Sequence, residues 1–124
     1  MNRLILTLVA SIMAVTVSAH HTDEQPTMTG LYILSGSGYC YQTGQYTMDA
    51  GSRQLEVKVY DDHITIKNLS MNYEEICKYA GKSGNTKCYR DWSGGIYYLR
   101  ADGSMYYETQ YRELTFMYEM TRVY

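Results

Sequence analysis

The sequence predicts an all-β protein: a small antiparallel up-and-down meander of seven or eight strands, closed as a barrel or folded over as a sandwich, with at most one short helix. Three observations lead there. Leu55, Val57 and Val59 alternate with Glu56, Lys58 and Tyr60, and Ile64 and Ile66 alternate with Thr65 and Lys67. That period of two marks strands with one buried and one wet face. Turn chemistry recurs at hairpin spacing, near residues 35–38, 49–52, 60–63, 81–84 and 101–104. The aromatic content is almost all tyrosine, 15 Tyr against one Trp and one Phe. Tyrosine suits half-buried sheet faces, having an apolar ring with a polar tip.

Residues 1–19 read as a secretory signal peptide. Arg3 supplies the positive start, Leu4 to Val15 is an apolar run too short to span a bilayer, and Val17 and Ala19 are the small residues before the cut. His20 then begins a secreted or periplasmic chain. Residues 20–29, with the only proline at Pro26, read as a flexible leader, and residues 30–124 as a single β domain. Leu31 to Leu34 opens that domain, and residues 39–48 form a second strand candidate broken at Gly44. After the alternating pair of strands, residues 72–80 are ambiguous: Tyr73, Ile76, Cys77 and Ala80 fit helical spacing, the hairpin wants a strand from about Ile76, and one helical turn leading into the hairpin would satisfy both. Asp102-Gly103 is a strong hairpin signal between residues 95–100 and 105–111. With the turn at 101–104, Tyr98 faces Tyr107 and Leu99 faces Tyr106. Leu114, Phe116, Tyr118 and Met120 alternate in a last strand integral to the sheet.

Net charge is −2, from 11 Lys and Arg against 13 Asp and Glu, and loss of Arg3 makes the mature chain one unit more acidic. Without a Lys/Arg run, neither nucleic acid nor an anionic membrane surface is an expected partner. No second apolar run gives the mature chain a membrane span. Three cysteines in an exported chain suit one disulfide and one spare thiol. If residues 81–84 form a loop, Cys77 sits directly opposite Cys88, close enough to bridge. A loop that short would stabilise by roughly 2–3 kcal/mol. Cys40 is then the spare and a handle for a dimer. Zinc is not expected, because no CxxC pair is present.

Catalysis is not expected either. Two of the three histidines fall in the leader and His63 falls in a turn, so no nucleophile gains a neighbouring base. Asp61/Asp62 and Glu74/Glu75 are sequence neighbours rather than an opposed acid/base pair. The expected role is therefore binding. Trp92, Tyr97, Tyr98, Tyr106, Tyr107 and Tyr111 form an aromatic ladder suited to a protein or glycan partner in the extracellular space or envelope, since rigid rings bring contact area at low entropy cost.

The alternative is copper. An N-terminal His20 offers its amine and ring together, and with His63 and Asp61 would complete a square-planar set. Asp61-Asp62-His63 resembles the downstream Asp-x-His element of the copper-resistance family of small secreted β proteins, and the resemblance implies a copper site at His20, Asp61 and His63. Residues 96–105 resemble one unit of the cell-wall choline-binding repeat, which implies a hairpin there. In size and class the chain is similar to small exported β-barrels such as the periplasmic lysozyme inhibitors, which act by blocking a partner. A third role is assembly through Cys40 and an edge strand. Asn68-Leu69-Ser70 is a glycosylation sequon if the source is eukaryotic.

Overall fold

A computed structural model describes residues 24–124, so the expected signal peptide and His20 lie outside the described residues. Nine strands follow: β1 Met28–Leu34, β2 Tyr39–Cys40, β3 Arg53–Val59, β4 His63–Asn68, β5 Tyr73–Ser83, β6 Thr86–Arg90, β7 Ile96–Leu99, β8 Met105–Tyr111 and β9 Leu114–Arg122. Eight of them form a closed antiparallel barrel in the order β1-β3-β4-β5-β6-β7-β8-β9, with β9 pairing back onto β1. The seam joins Met120 to Leu34, Thr121 to Ile33 and Arg122 to Tyr32. Two backbone bonds lengthen it, Leu31 N–H to Tyr124 O at 3.0 Å and Val123 N–H to Leu31 O at 2.7 Å. β2 is the ninth strand, paired edge to edge with the first half of β9 through Phe116–Cys40 and Met117–Tyr39.

The period-two residues point where their alternation placed them. Leu55, Val57, Val59, Ile64 and Ile66 fill the barrel together with Tyr32, Cys77, Tyr89, Tyr97, Leu99, Met105 and Met120. Burying one face of every strand and pairing every barrel edge satisfies both the apolar side chains and the backbone polar groups. The barrel has two unlike ends. At the hairpin end lie the Asp61-Asp62 turn, the Gly84-Asn85 turn and the 100–104 turn, where the Tyr32 hydroxyl donates to Gly103 O at 2.5 Å. At the opposite, loop-rich end gather the excursion 35–52 and the connections 69–72, 91–95 and 112–113.

Four expectations need correction. Residues 39–48 give only the two-residue β2 and a Tyr39–Tyr46 bridge, because Gly44 takes φ 71° and turns the chain back. Residues 73–80 are strand, with no helix among the described residues; pairing of Ile64 with Cys77 and Lys67 with Glu74 overrides the helical spacing. The turn expected at 101–104 is the three-residue loop 101–103, closed by Arg100 N–H to Ser104 O, with Gly103 at φ 90°. It therefore pairs Leu99 with Met105, Tyr98 with Tyr106 and Tyr97 with Tyr107, one position from the expected register.

The Cys77–Cys88 disulfide is the fourth. The β5–β6 turn falls at Gly84-Asn85, Gly81 (φ 113°) sits in a bulge, and Cys88 pairs with Gly81. Cys77 points into the core while Cys88 points outward beside Tyr98, and Cys40, Cys77 and Cys88 are all free thiols. The two sulfurs lie on opposite faces of the sheet and cannot meet.

Candidate functional site: the loop-rich barrel end

The six aromatic residues of the expected ladder fall in three places. Tyr97 and Tyr107 point into the barrel with ring centroids 4.5 Å apart, and Tyr118 follows 6.4 Å from Tyr107. Tyr98 and Tyr106 point outward and stack on one another at 4.5 Å, only 9° from parallel. Trp92 and Tyr111 stand exposed at the loop-rich end, Trp92 at 81%. One face does not present all six.

The outer pair is already engaged. The Arg100 guanidinium lies 4.4 Å from the Tyr106 centroid. Glu108 accepts from the Tyr98 hydroxyl at 3.0 Å and from the Tyr41 hydroxyl at 2.7 Å. Burial, followed by that bond to Glu108, pushes the Tyr98 phenol up to about 12. These rings tie the 35–52 excursion to the barrel wall, and their faces are turned to each other.

The inner pair belongs to a polar network that shapes the loop-rich end. Asp91, buried just after β6, accepts through Oδ1 from Ser93 N–H (3.0 Å), Ser93 Oγ–H (2.9 Å) and Gly95 N–H (2.7 Å). Through Oδ2 it accepts from the Tyr107 hydroxyl at 2.5 Å. The Asp-x-Ser-Gly-Gly order permits this, since Gly94 takes φ 92° and any Cβ on Gly95 would collide with the Tyr107 phenol. Glu75, two positions from Cys77 on the same inner face of β5, accepts from Trp92 N–H at 3.2 Å. Burial, partly opposed by that bond, raises its carboxyl above the ordinary value. Two inward carboxylates thus hold the 91–95 loop and lift Trp92 to the rim.

Two small cavities open at this end, sharing Leu34 and Arg53 as a common wall. One, about 230 Å³, runs under the 35–52 excursion to Tyr107, Thr109 and Tyr118. The other, about 150 Å³, reaches down to Glu75 and Tyr97. Around them, separate connections bring up exposed apolar groups: Tyr46 and Met48 from the excursion, Met71 from 69–72, Trp92 from 91–95 and Tyr111 at the end of β8. Sequence reasoning missed Arg53, Glu75 and Asp91. Glu75 carried a signal, because it shares the alternation of the buried Cys77.

Of the expected metal ligands, His63 and Asp61 lie at the hairpin end, and His20 lies outside the described residues. His63 Nδ1 is 2.7 Å from Asp62 Oδ1, which holds the Asp62 carboxyl below its ordinary range, and the His63 ring stacks on Tyr60 at 4.5 Å. Glu24 brings a third donor, the three ligand atoms lying within 4.8 Å of one another. Asp61 occupies the same exposed turn but is not in this cluster. Cys40 is 3% exposed, so an intermolecular bond through it requires the 35–52 excursion to open. Among the described residues, no helix is long and apolar enough to cross a membrane.

Comparison with protein-family models, with curated proteins and with solved structures finds no match to this chain.

Proposed function

We propose that the protein is an exported, secreted or periplasmic, non-enzymatic binding domain that docks a protein of the extracellular space or envelope on its loop-rich end. The observation that carries this reading is the gathering of exposed methionine and aromatic side chains there, supplied by several separate connections: Tyr46, Met48, Met71, Trp92 and Tyr111. Aromatic residues and methionine are enriched in protein interfaces, and methionine adapts to irregular partner surfaces. A protein is favoured over a glycan because Tyr98 and Tyr106 turn their faces to each other, leaving no flat outer ladder for sugar rings. Binding is favoured over catalysis at the rim because His63 lines neither cavity there; it borders a separate, open cavity at the hairpin end with Glu24, Asp62 and Lys78.

Photo-crosslinking in the native exported fraction tests this. A crosslinker placed at Trp92 or Met71 is expected to trap one discrete protein adduct, while one at Lys58 on the barrel wall traps none. Binding to a saccharide that disappears in Trp92→Ala would reassign the rim to a glycan. No adduct at any rim position and no saccharide binding would sink the reading.

A second reading rests on the Glu24, Asp62 and His63 cluster. Its mixed carboxylate and imidazole donors suit a divalent transition metal, and copper is the ion that the amine and ring of an N-terminal His20 would add to. Copper titration of the mature chain followed by electron paramagnetic resonance decides it. The reading expects His63→Ala to weaken binding at least about tenfold; equal binding by the variant removes it.

A further inference from the structure

The 150 Å³ cavity has a composition that packing alone does not explain. One side is apolar, from Leu34, Leu55 and Ile66, the half-exposed Tyr73 stands beside it, and the charged or buried polar groups come from Arg53, Glu75 and Tyr97. Asn68 also lines it, but its Oδ1 is occupied by Ser70 N–H, Ser70 Oγ–H and Met71 N–H. The three others are not occupied in this way. The only ion pair among the described residues is His63–Asp62, so the Arg53 cation and the Glu75 anion share a cavity without neutralising each other. Glu75 uses one oxygen on Trp92 N–H, and its other oxygen has no hydrogen-bond partner among the described residues. Tyr97 is 7% exposed, yet its hydroxyl has no hydrogen-bond partner among the described residues, whereas its neighbour Tyr107 is bonded to Asp91. A buried hydroxyl without a partner is costly, and such exceptions mark sites where something else supplies the bond.

The size is equally restrictive. Drug-sized sites run to roughly 300–1,000 Å³, so this cavity takes only a small molecule or the end of a larger one. Guanidinium matches a carboxylate with two parallel hydrogen bonds, and a carboxylate beside a tyrosine ring is a favourable seat for an ammonium.

We infer that this cup binds a small aliphatic zwitterion, a free α-amino acid or the amino-acid head of a larger molecule. Its carboxylate lies on Arg53, its ammonium on Glu75, its side chain against Leu34, Leu55 and Ile66, and Tyr97 supplies a further hydrogen bond. The inference goes beyond the docking of a protein on the rim and does not depend on it, since it is measured on the isolated chain.

The test is calorimetric titration of the purified protein with leucine, leucinamide and N-acetyl-leucine. Leucinamide lacks the carboxylate and N-acetyl-leucine lacks the ammonium. Leucine is expected to bind, with both analogues weaker by roughly tenfold or more, the loss that follows when a site's polar groups are left unpaired. Nε-acetyl-lysine carries the same head on a longer tether; tighter binding than leucine assigns the cup to a larger molecule, weaker binding to a free amino acid. Glu75→Gln and Arg53→Gln are each expected to weaken leucine at least about fivefold, and Tyr97→Phe by a smaller factor. Arg53, at the exposed start of β3, keeps the test decisive should Glu75→Gln fail to fold. Lys58→Ala on the barrel wall is expected to leave leucine binding unchanged, and because the cup is read by calorimetry on the isolated chain and the rim by crosslinking, the two fail separately. No leucine binding at millimolar concentration, equal binding of all three compounds, or indifference to both charge variants would overturn the inference.

Discussion

Tyr97 and Tyr107 are cross-strand neighbours with the same chemistry and opposite hydrogen-bond states, which makes them a controlled pair. Removing the Tyr107 hydroxyl takes a donor from the buried Asp91 carboxylate. Tyr107→Phe should therefore lower unfolding free energy by about 1–3 kcal/mol. Tyr97→Phe removes a hydroxyl with no protein partner and should leave stability unchanged or slightly raised. Urea melts of the two variants check this, and equal losses would refute the network. Glu75 adds a pH signature. Burial raises its folded carboxyl above the ordinary 4.5, so the folded chain holds that proton more tightly than the unfolded one. Its contribution to stability is present below the unfolded value and is lost as pH rises through the raised folded value. The stability difference between the parent chain and Glu75→Gln should fall with rising pH across that window; a constant difference would contradict the assignment.

At the scale of elements, the β5–β6 hairpin separates what the sequence discloses from what it withholds. Strands β3 and β4 were legible because strict alternation between Leu55 and Lys67 admits one sheet register and one buried face. β5 and β6 were legible as strands of a hairpin but not in register, because Gly81 suits a loop and a bulge equally well and only pairing with Cys88 decides between them. That shift separates the two cysteines. Tyr98 met the same difficulty, since a three-residue loop in place of a four-residue one brings it opposite Tyr106. The carboxylates of the candidate site were illegible for a different reason: Asp91 is buried through bonds to Ser93, Gly95 and Tyr107, partners that only the fold assembles. The thiols give the direct check. Burial pushes Cys77 up to about 12, so folded protein should release no Cys77 thiolate at pH 8, while the half-buried Cys88 reacts before it. Mass spectrometry after brief alkylation should find the label on Cys88, and unfolding should expose three thiols. A protected pair after unfolding would restore a disulfide.

At the scale of the whole molecule, the barrel stands or falls with the seam between β1 and β9. Truncation at Met120 removes the Thr121 and Arg122 pairings and the two bonds that Val123 and Tyr124 make with Leu31. At about 1 kcal/mol for each backbone hydrogen bond, the loss should be at least about 2 kcal/mol, read as a lower melting midpoint. A truncated chain that melts with the parent would show the seam to be dispensable.

That seam also sets the order in which the protein can form. Leu34 meets Met120 across more than eighty intervening positions, whereas every other barrel pairing joins strands far closer in the chain. Hairpins such as β3–β4 and β7–β8 can form as soon as they are made, but the cylinder closes only when its last strand arrives. Until then β1 presents an unpaired edge. A chain built this way stays open and threadable until β9 has been made and completes its shape in one late step.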